Sequence, residues 1–145
     1  MVDAERVRRR LAELDRRLAS LRRLHQLGRA RYLADPDVRT LAERHLQIAL
    51  QAALDIALHI AAEDAGRTPE DYGDAFVLLG ELGVLDPGLA SRLRGPAGMR
   101  NVLVHGYADL DEALVWAALE DLGDLEALAQ QVSAAIDPDQ GSGGG

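Results

Sequence analysis

The sequence predicts an all-α fold, a bundle of about five helices, and three observations carry that prediction. Ala, Leu, Glu and Arg, which favour helices, dominate the 145 residues, whereas aromatic residues account for only 3%. Apolar residues recur with helical spacing, and no stretch shows the alternation of a strand. Proline and glycine fall between the periodic stretches and leave short connections. A chain of this size predicts one domain, over residues 1–136.

The first two helices are the longest of the predicted elements. The first is expected over residues 2–33. Its apolar stripe steps by four and three residues through Val7, Leu11, Leu14, Leu18 and Leu21. Asp35 before Pro36 ends it, and Asp35 or Asp37 can cap the second helix. That helix is expected from Val38 to Ala65, with Gly66 after its end. The inward face of the second helix is predicted to hold Leu41, His45, Ile48, Ala52, Ile56 and His59 or Ile60.

Start and stop signals place the remaining helices. Thr68 and Pro69 open a short third helix that ends near Gly83, and Asp86-Pro87 opens a fourth. "RGPAG" (94–98) is expected to kink or break that helix, which resumes at Met99. The fifth helix is expected from Asp109 or Asp111 to Ile136. Its inward residues are predicted to be Leu114, Leu119, Leu122, Leu125, Leu128 and Val132. Residues 137–145 are predicted to be a disordered tail.

Composition excludes several kinds of chemistry. The chain has no Cys, so it has no disulfide and no thiolate nucleophile. All 16 basic residues are Arg, which excludes a lysine nucleophile. With no Cys and scattered acids, neither a metal site nor a cofactor is expected. No apolar run approaches the roughly 18–20 residues that span a bilayer, so no membrane segment is predicted and the cytoplasm is the expected location.

Charge is distributed unevenly along the chain. The net charge is −8, which argues against generic nucleic-acid binding. Residues 1–33 hold ten Arg and four acids, a local charge of +6 that leaves −14 for the rest. Such a basic segment can bind RNA, an acidic partner protein, or the acidic remainder of its own chain.

The stretch "MRNVLVHGY" (99–107) concentrates polar residues at a predicted helix end. Asn101 and His105 are four residues apart and share a face, while Arg100 can swing its long side chain towards them. Gly106 ends the helix and Tyr107 follows. Arg, Asn and His converging there form a site suited to an anionic phosphate. The alternative is structural: a His favoured by the helix dipole, an Arg paired with an acid, and a packed Tyr.

These residues resemble the HEPN superfamily, and "RNVLVHGY" fits the R-x4-H-x-Y pattern of its HepT-type toxins. Two further blocks resemble the same family in the same order, "AERHLQIALQAALDIALHI" (42–60) and "TPEDYGDAFVLLGELGVL" (68–85). Together the resemblance covers roughly residues 38–120.

The resemblance implies a HEPN-like bundle that dimerises, with Arg100 and His105 of both protomers lining one cleft. It implies a metal-independent endoribonuclease in which His105 moves a proton, Arg100 stabilises the developing phosphate charge and Asn101 orients His105 or contacts phosphate. It also implies a partner, a minimal nucleotidyltransferase antitoxin that silences the toxin by transferring AMP to Tyr107.

Other interpretations stay open. A non-catalytic HEPN scaffold, or a nucleotide-binding subunit of a nucleotidyltransferase, would use the motif for assembly. A plain helical structural protein would leave the polar cluster unexplained. Asp55 and His59 are expected to form a helix-stabilising pair or to support the cleft from behind, and Trp116 and Phe76 to belong to the core.

Overall fold

A computed structural model describes residues 2–105 and 111–137, with the side chain of His105 left out, and its architecture is all-α as predicted. Eight helices lie within these ranges, more than the five expected. They are α1 (Ala4–Gln26), α2 (Arg29–Ala34), α3 (Pro36–Asp64), α4 (Tyr72–Glu81), α5 (Pro87–Arg92), α6 (Arg94–His105), α7 (Glu112–Glu120) and α8 (Gly123–Ile136).

Helices α1 and α3 form the central pair of the bundle and run antiparallel. The backbone N–H of Asp3 bonds to His59, and Arg17 bonds to His45, so rising numbers on α1 meet falling numbers on α3. Helix α8 is antiparallel to α1 on its other side, since Arg8 pairs with Asp137 and the Arg22 guanidinium with Glu126. Helices α4, α5 and α6 pack on one another beside α3. The short helix α2 packs against both α3 and α7.

The predicted apolar stripe of α1 is confirmed, because all five of its residues are buried. Trp116 and Phe76 also belong to the core, as expected. Two inward assignments are wrong: Leu41 and Leu114 are each 51% exposed. Both sit in the first turn or two of their helices, where the neighbouring helix does not cover the whole apolar face.

Three predicted helices are divided or shifted in the structure. The first breaks at Gly28, whose φ of +91° is open to glycine but not to residues with a Cβ. The third begins at Tyr72 rather than at Pro69, because the Asp71 carboxylate caps it by accepting from the backbone N–H of Asp74. The fifth is divided between α7 and α8 at Asp121, whose backbone leaves the helical region.

The expected break within "RGPAG" is wrong, because α6 runs continuously through it. The interruption lies one residue earlier, at Leu93, which ends α5. Pro96 therefore falls in the first turn of α6, where the missing N–H would have had no helical partner in any case. Continuity through this stretch is what carries the helix to Arg100 and Asn101.

The core helix α3 bears on the expectation that no segment spans a membrane. By length and composition it could cross a membrane, with an 18-residue window of mean hydropathy 1.3. Within the bundle, 56% of that window is buried, which is typical of the central helix of a packed domain.

At the C-terminal end of the described residues, Asp137 is not part of a free tail, since its carboxylate binds Arg8. Residues 138–145 lie outside the described residues.

Candidate active site

The predicted site residues Arg100 and Asn101 lie on α6, and Arg100 is held by contacts from two other helices. Its Nε donates to Oε1 of Gln51 on α3 at 3.0 Å. Its guanidinium carbon lies 5.2 Å from the ring centroid of Tyr72, the first residue of α4. A third contact runs from Nη1 to Oδ1 of Asn101 at 3.4 Å. The half-buried guanidinium is thus fixed in position by its neighbours.

The groups that position Arg100 are all neutral. An amide oxygen and an aromatic face stabilise a guanidinium without cancelling its charge. Among residues 2–105 and 111–137, Arg100 forms no ion pair with a carboxylate. Within those ranges, the ion pair that the structural alternative would use is not formed. The positive charge of Arg100 remains available to an anion.

Gln51 is itself positioned from behind. Its Nε2 donates to Oδ1 of Asp55 at 2.9 Å, and the other oxygen of Asp55 lies 3.7 Å from Nε of Arg10 on α1. Asp55 thus supports the cleft through Gln51, one of the two roles expected of it. The expected pairing with His59 is not formed, because His59 accepts the backbone N–H of Asp3 instead.

Two clefts flank these residues. One, of about 330 Å³, lies between α1, α3 and α6 and is lined by Arg10, Arg44, Gln51, Arg100 and Val104, among others. The second, of about 690 Å³, lies between the start of α4 and α6, where Asn101 faces Asp71, Tyr72, Asp74 and Arg94.

The charge of the two clefts differs. A hydrogen bond from Arg67 lowers the pKa of the Asp74 carboxyl, and a bond from the backbone of Glu70 lowers it further, so Asp74 remains ionised. With Asp71 beside it, the second cleft has an acidic wall. The first cleft is lined by three arginines and two acids, Glu13 and Asp55, both of which are paired with arginines. The second is lined by three acids and one arginine, so the first is the one suited to an anionic ligand.

Sequence reasoning missed Gln51 and Tyr72. Gln51 lies 49 residues from Arg100 in the chain, and nothing in the local pattern links the two. The available signal was indirect, since both residues fall within the blocks 42–60 and 68–85 that resemble the HepT-type family. Two of the predicted site residues cannot be placed: the side chain of His105 and all of Tyr107 lie outside the described residues.

No group of three or more His, Asp or Glu side chains that could hold a metal ion occurs within 2–105 and 111–137. The described part of the site therefore consists of a fixed cation, an exposed amide and the helix that leads to His105.

Comparison with known proteins matches the chain to one family over most of its length. The family model described as ribonuclease HepT-like matches residues 11–135. A tRNA nuclease HepT of Aphanizomenon flos-aquae is 34% identical over 111 residues, 76% of this chain and 75% of that protein. An mRNA nuclease HepT of Shewanella oneidensis is 30% identical over 91 residues, 62% of this chain and 68% of that protein.

The fold is shared with a solved structure of the tri-AMPylated Shewanella oneidensis HEPN toxin in complex with MNT antitoxin. The TM-score is 0.79 at 24% identity, and the match covers 92% of this chain and 99% of that chain. The match of the family model over residues 11–135 confirms the resemblance to the HepT-type HEPN family. This chain belongs to the HepT-like ribonuclease family of HEPN proteins.

Proposed function

We propose that this protein is the toxin of a HEPN/minimal nucleotidyltransferase pair and acts as a metal-independent endoribonuclease. The observation that carries the proposal is the Arg100 guanidinium, held by neutral partners at a cleft on the same helix as His105. The nuclease names of its relatives support the same activity. The active form is a homodimer in which both copies of Arg100 and His105 line one cleft, and its RNA substrate places it in the cytoplasm.

The reaction proceeds by internal attack on the RNA backbone. The ribose 2′-oxygen forms a bond to phosphorus as the bond from phosphorus to the 5′-oxygen breaks. One His105 removes the 2′-OH proton, and the His105 of the second protomer protonates the leaving 5′-oxygen. The products are a 2′,3′-cyclic phosphate and a 5′-hydroxyl.

Arg100 stabilises the phosphorane. Its Nε is bonded to Gln51, which leaves its Nη groups to meet the phosphate oxygens as charge develops there. Asn101 accepts from Arg100 through Oδ1, so its amide N–H groups remain to donate to a phosphate oxygen or to His105.

Cleavage in the presence of EDTA tests this activity. We expect the purified protein to cut RNA without divalent metal and His105→Ala to abolish cutting while the helical circular dichroism is unchanged. His59→Gln is the matched control, because a glutamine can still accept the backbone N–H of Asp3. A wild-type protein that is inert in EDTA and harmless on expression would instead favour the non-catalytic scaffold.

Silencing by AMP transfer to Tyr107 is the second part of the proposal. An adenylyl group two residues after His105 would place phosphate charge and a bulky base beside the catalytic groups and oppose RNA binding. Intact mass after co-expression with a cognate minimal nucleotidyltransferase is expected to rise by AMP increments. Tyr107→Phe should lose the increments and Tyr72→Phe should keep them. Increments that persist in Tyr107→Phe would show that AMP is attached to another residue.

A further inference from the structure

The arginines of α1 divide between two flanks of the helix with different partners. On the flank that faces α8, Nε and Nη2 of Arg8 bind both oxygens of Asp137, at 3.1 and 2.6 Å, and Arg22 binds Glu126. The acidic body neutralises the helix on this side. On the flank that faces α3, Arg10 lies 3.7 Å from a carboxylate oxygen of Asp55, and it lines the cleft that contains Arg100.

This cleft is here named the arginine groove. It is lined by Arg10 and Glu13 of α1, by Arg44, Gln47, Ile48, Gln51, Ala52 and Asp55 of α3, and by Arg100 and Val104 of α6. Arg44, Ile48, Gln51 and Asp55 follow one another at helical spacing along a single face of α3. Val104, which also lines the groove, is the residue before His105.

The acidic side chains of the groove already have hydrogen-bond or ion-pair partners within the protein. Glu13 receives hydrogen bonds from Arg16 and Arg17, and the bond from Arg16 holds the pKa of its carboxyl below the ordinary value. Asp55 is bound by Gln51 and Arg10. The exposed Arg44 forms no ion pair with any residue that the structure describes. The groove therefore presents net positive charge to solvent.

We propose that the arginine groove binds the sugar-phosphate backbone of single-stranded RNA and leads it to Arg100, an inference that rests on the proposed nuclease function. Arg44 and Gln51 are separated by about 10 Å along α3, from the helical rise of about 1.5 Å per residue. That distance accommodates a phosphate at Arg44 next to the one held at Arg100. A volume of about 330 Å³ accepts a nucleotide of a single strand and is too small for a duplex.

The lining favours RNA over an acidic protein segment. Its guanidinium groups match phosphate oxygens as forked donors, and Gln47 and Gln51 can contact ribose or base edges. The apolar lining residues are Ile48, Ala52 and Val104, without the aromatic anchors that dominate protein interfaces.

Binding of a fluorescent 2′-O-methylated oligouridylate tests the groove separately from catalysis, because this probe lacks the attacking hydroxyl. We expect Arg44→Gln and Arg10→Gln to weaken binding about five- to tenfold and each to reduce the slope of log affinity against log salt by about 0.7. Arg22→Gln is the matched control: Arg22 is on the same helix as Arg10, and each pairs with an acid of another helix. It should leave affinity and slope unchanged.

Three outcomes would overturn the proposal. The first is equal binding of the probe by Arg10→Gln, Arg44→Gln and wild type, and the second is an equal loss in Arg22→Gln, which would indicate a diffuse charge effect. The third is that the two groove variants lose antitoxin association but keep RNA binding, which would make the groove a protein-docking surface. If the wild type binds the probe but does not cut unmodified RNA, the nuclease proposal fails and the groove assignment stands.

Discussion

Helices α6 and α7 flank residues 106–110 in the chain, and they are held to the rest of the bundle by opposite kinds of chemistry. Helix α6 is held through a cation, Arg100, whose partner on α3 is the neutral amide of Gln51. Helix α7 is held through an anion, Glu112, which accepts a hydrogen bond from the buried Tyr32 hydroxyl at 2.5 Å. Burial, together with a hydrogen bond and repulsion from Glu112, raises the pKa of Glu43 on α3 to about 7.

The difference shows which side is built to receive a ligand. A cation with neutral partners keeps its charge and can bind an external anion. The carboxyls of Glu43 and Glu112 instead share their interactions with each other and with Tyr32, whose pKa is raised by burial and by Glu112. That acidic cluster holds the fold, whereas we propose that Arg100 serves the site. Substitutions at four positions can break or sharpen this contrast.

The largest effect is expected from Arg100→Lys. A lysine keeps the charge but cannot bond Gln51 through one nitrogen while presenting two others to phosphate. We expect the rate of RNA cleavage at saturating substrate to fall about 100- to 1000-fold. Arg92→Lys on α5, where Arg92 pairs with Asp124, is the control and should retain wild-type activity. A tenth or more of wild-type activity in Arg100→Lys would mean that charge alone suffices.

Tyr32→Phe tests the acidic cluster. The change removes the donor to the Glu112 carboxylate and leaves the packing of the ring intact, so we expect the free energy of unfolding to fall by about 1–3 kcal/mol. Urea denaturation measures it. Tyr72→Phe should change stability by less than about 0.5 kcal/mol, because the ring that contacts Arg100 is kept. Equal losses in the two variants would contradict the assignment.

Gln51 tests whether the partner of Arg100 has to be neutral. Gln51→Leu removes the acceptor and should lower the cleavage rate at saturating RNA about fivefold, by loosening Arg100. Gln51→Glu keeps an acceptor but adds a negative charge beside the phosphate, and we expect a loss of about 30-fold. Gln130→Glu on α8 makes the same charge change outside the groove. If Gln51→Glu is as active as wild type, neutrality of the partner is irrelevant.

The smallest effect is a pH dependence of stability. The pKa of Glu43 is raised from 4.5 to about 7 on folding, so the folded state binds more protons between these values than the unfolded state. The stabilisation is complete below about 4.5 and is lost as the pH rises through about 7. Because solvent screens the partly buried pair, we expect a change on the order of 1 kcal/mol.

Urea unfolding at pH 5 and pH 8 measures this contribution. Glu43→Gln should flatten the difference between the two pH values, while Glu120→Gln on the exposed face of α7 should preserve it. A wild-type protein that gains stability between these two values would show that another group dominates.

Local signals predicted much of this fold. The buried stripe of α1 followed from its spacing, and Asp35 and Asp86 cap helices where the sequence placed the caps. The wrong predictions concern helix boundaries that depend on backbone geometry. The break at Gly28 needs a positive φ that glycine permits but does not require, and the continuity of α6 depends on Pro96 lying in a first turn.

By itself, the sequence determined the helical class, the family and the chemical identity of the motif, because spacing, caps and residue types are local properties of the chain. Only the tertiary structure decided which partners hold Arg100 and which arginines line the cleft beside it. Gln51, Tyr72 and Arg10 reach that site from three other helices. Their meeting depends on how α1, α3, α4 and α6 pack, which the pattern of any one segment does not specify.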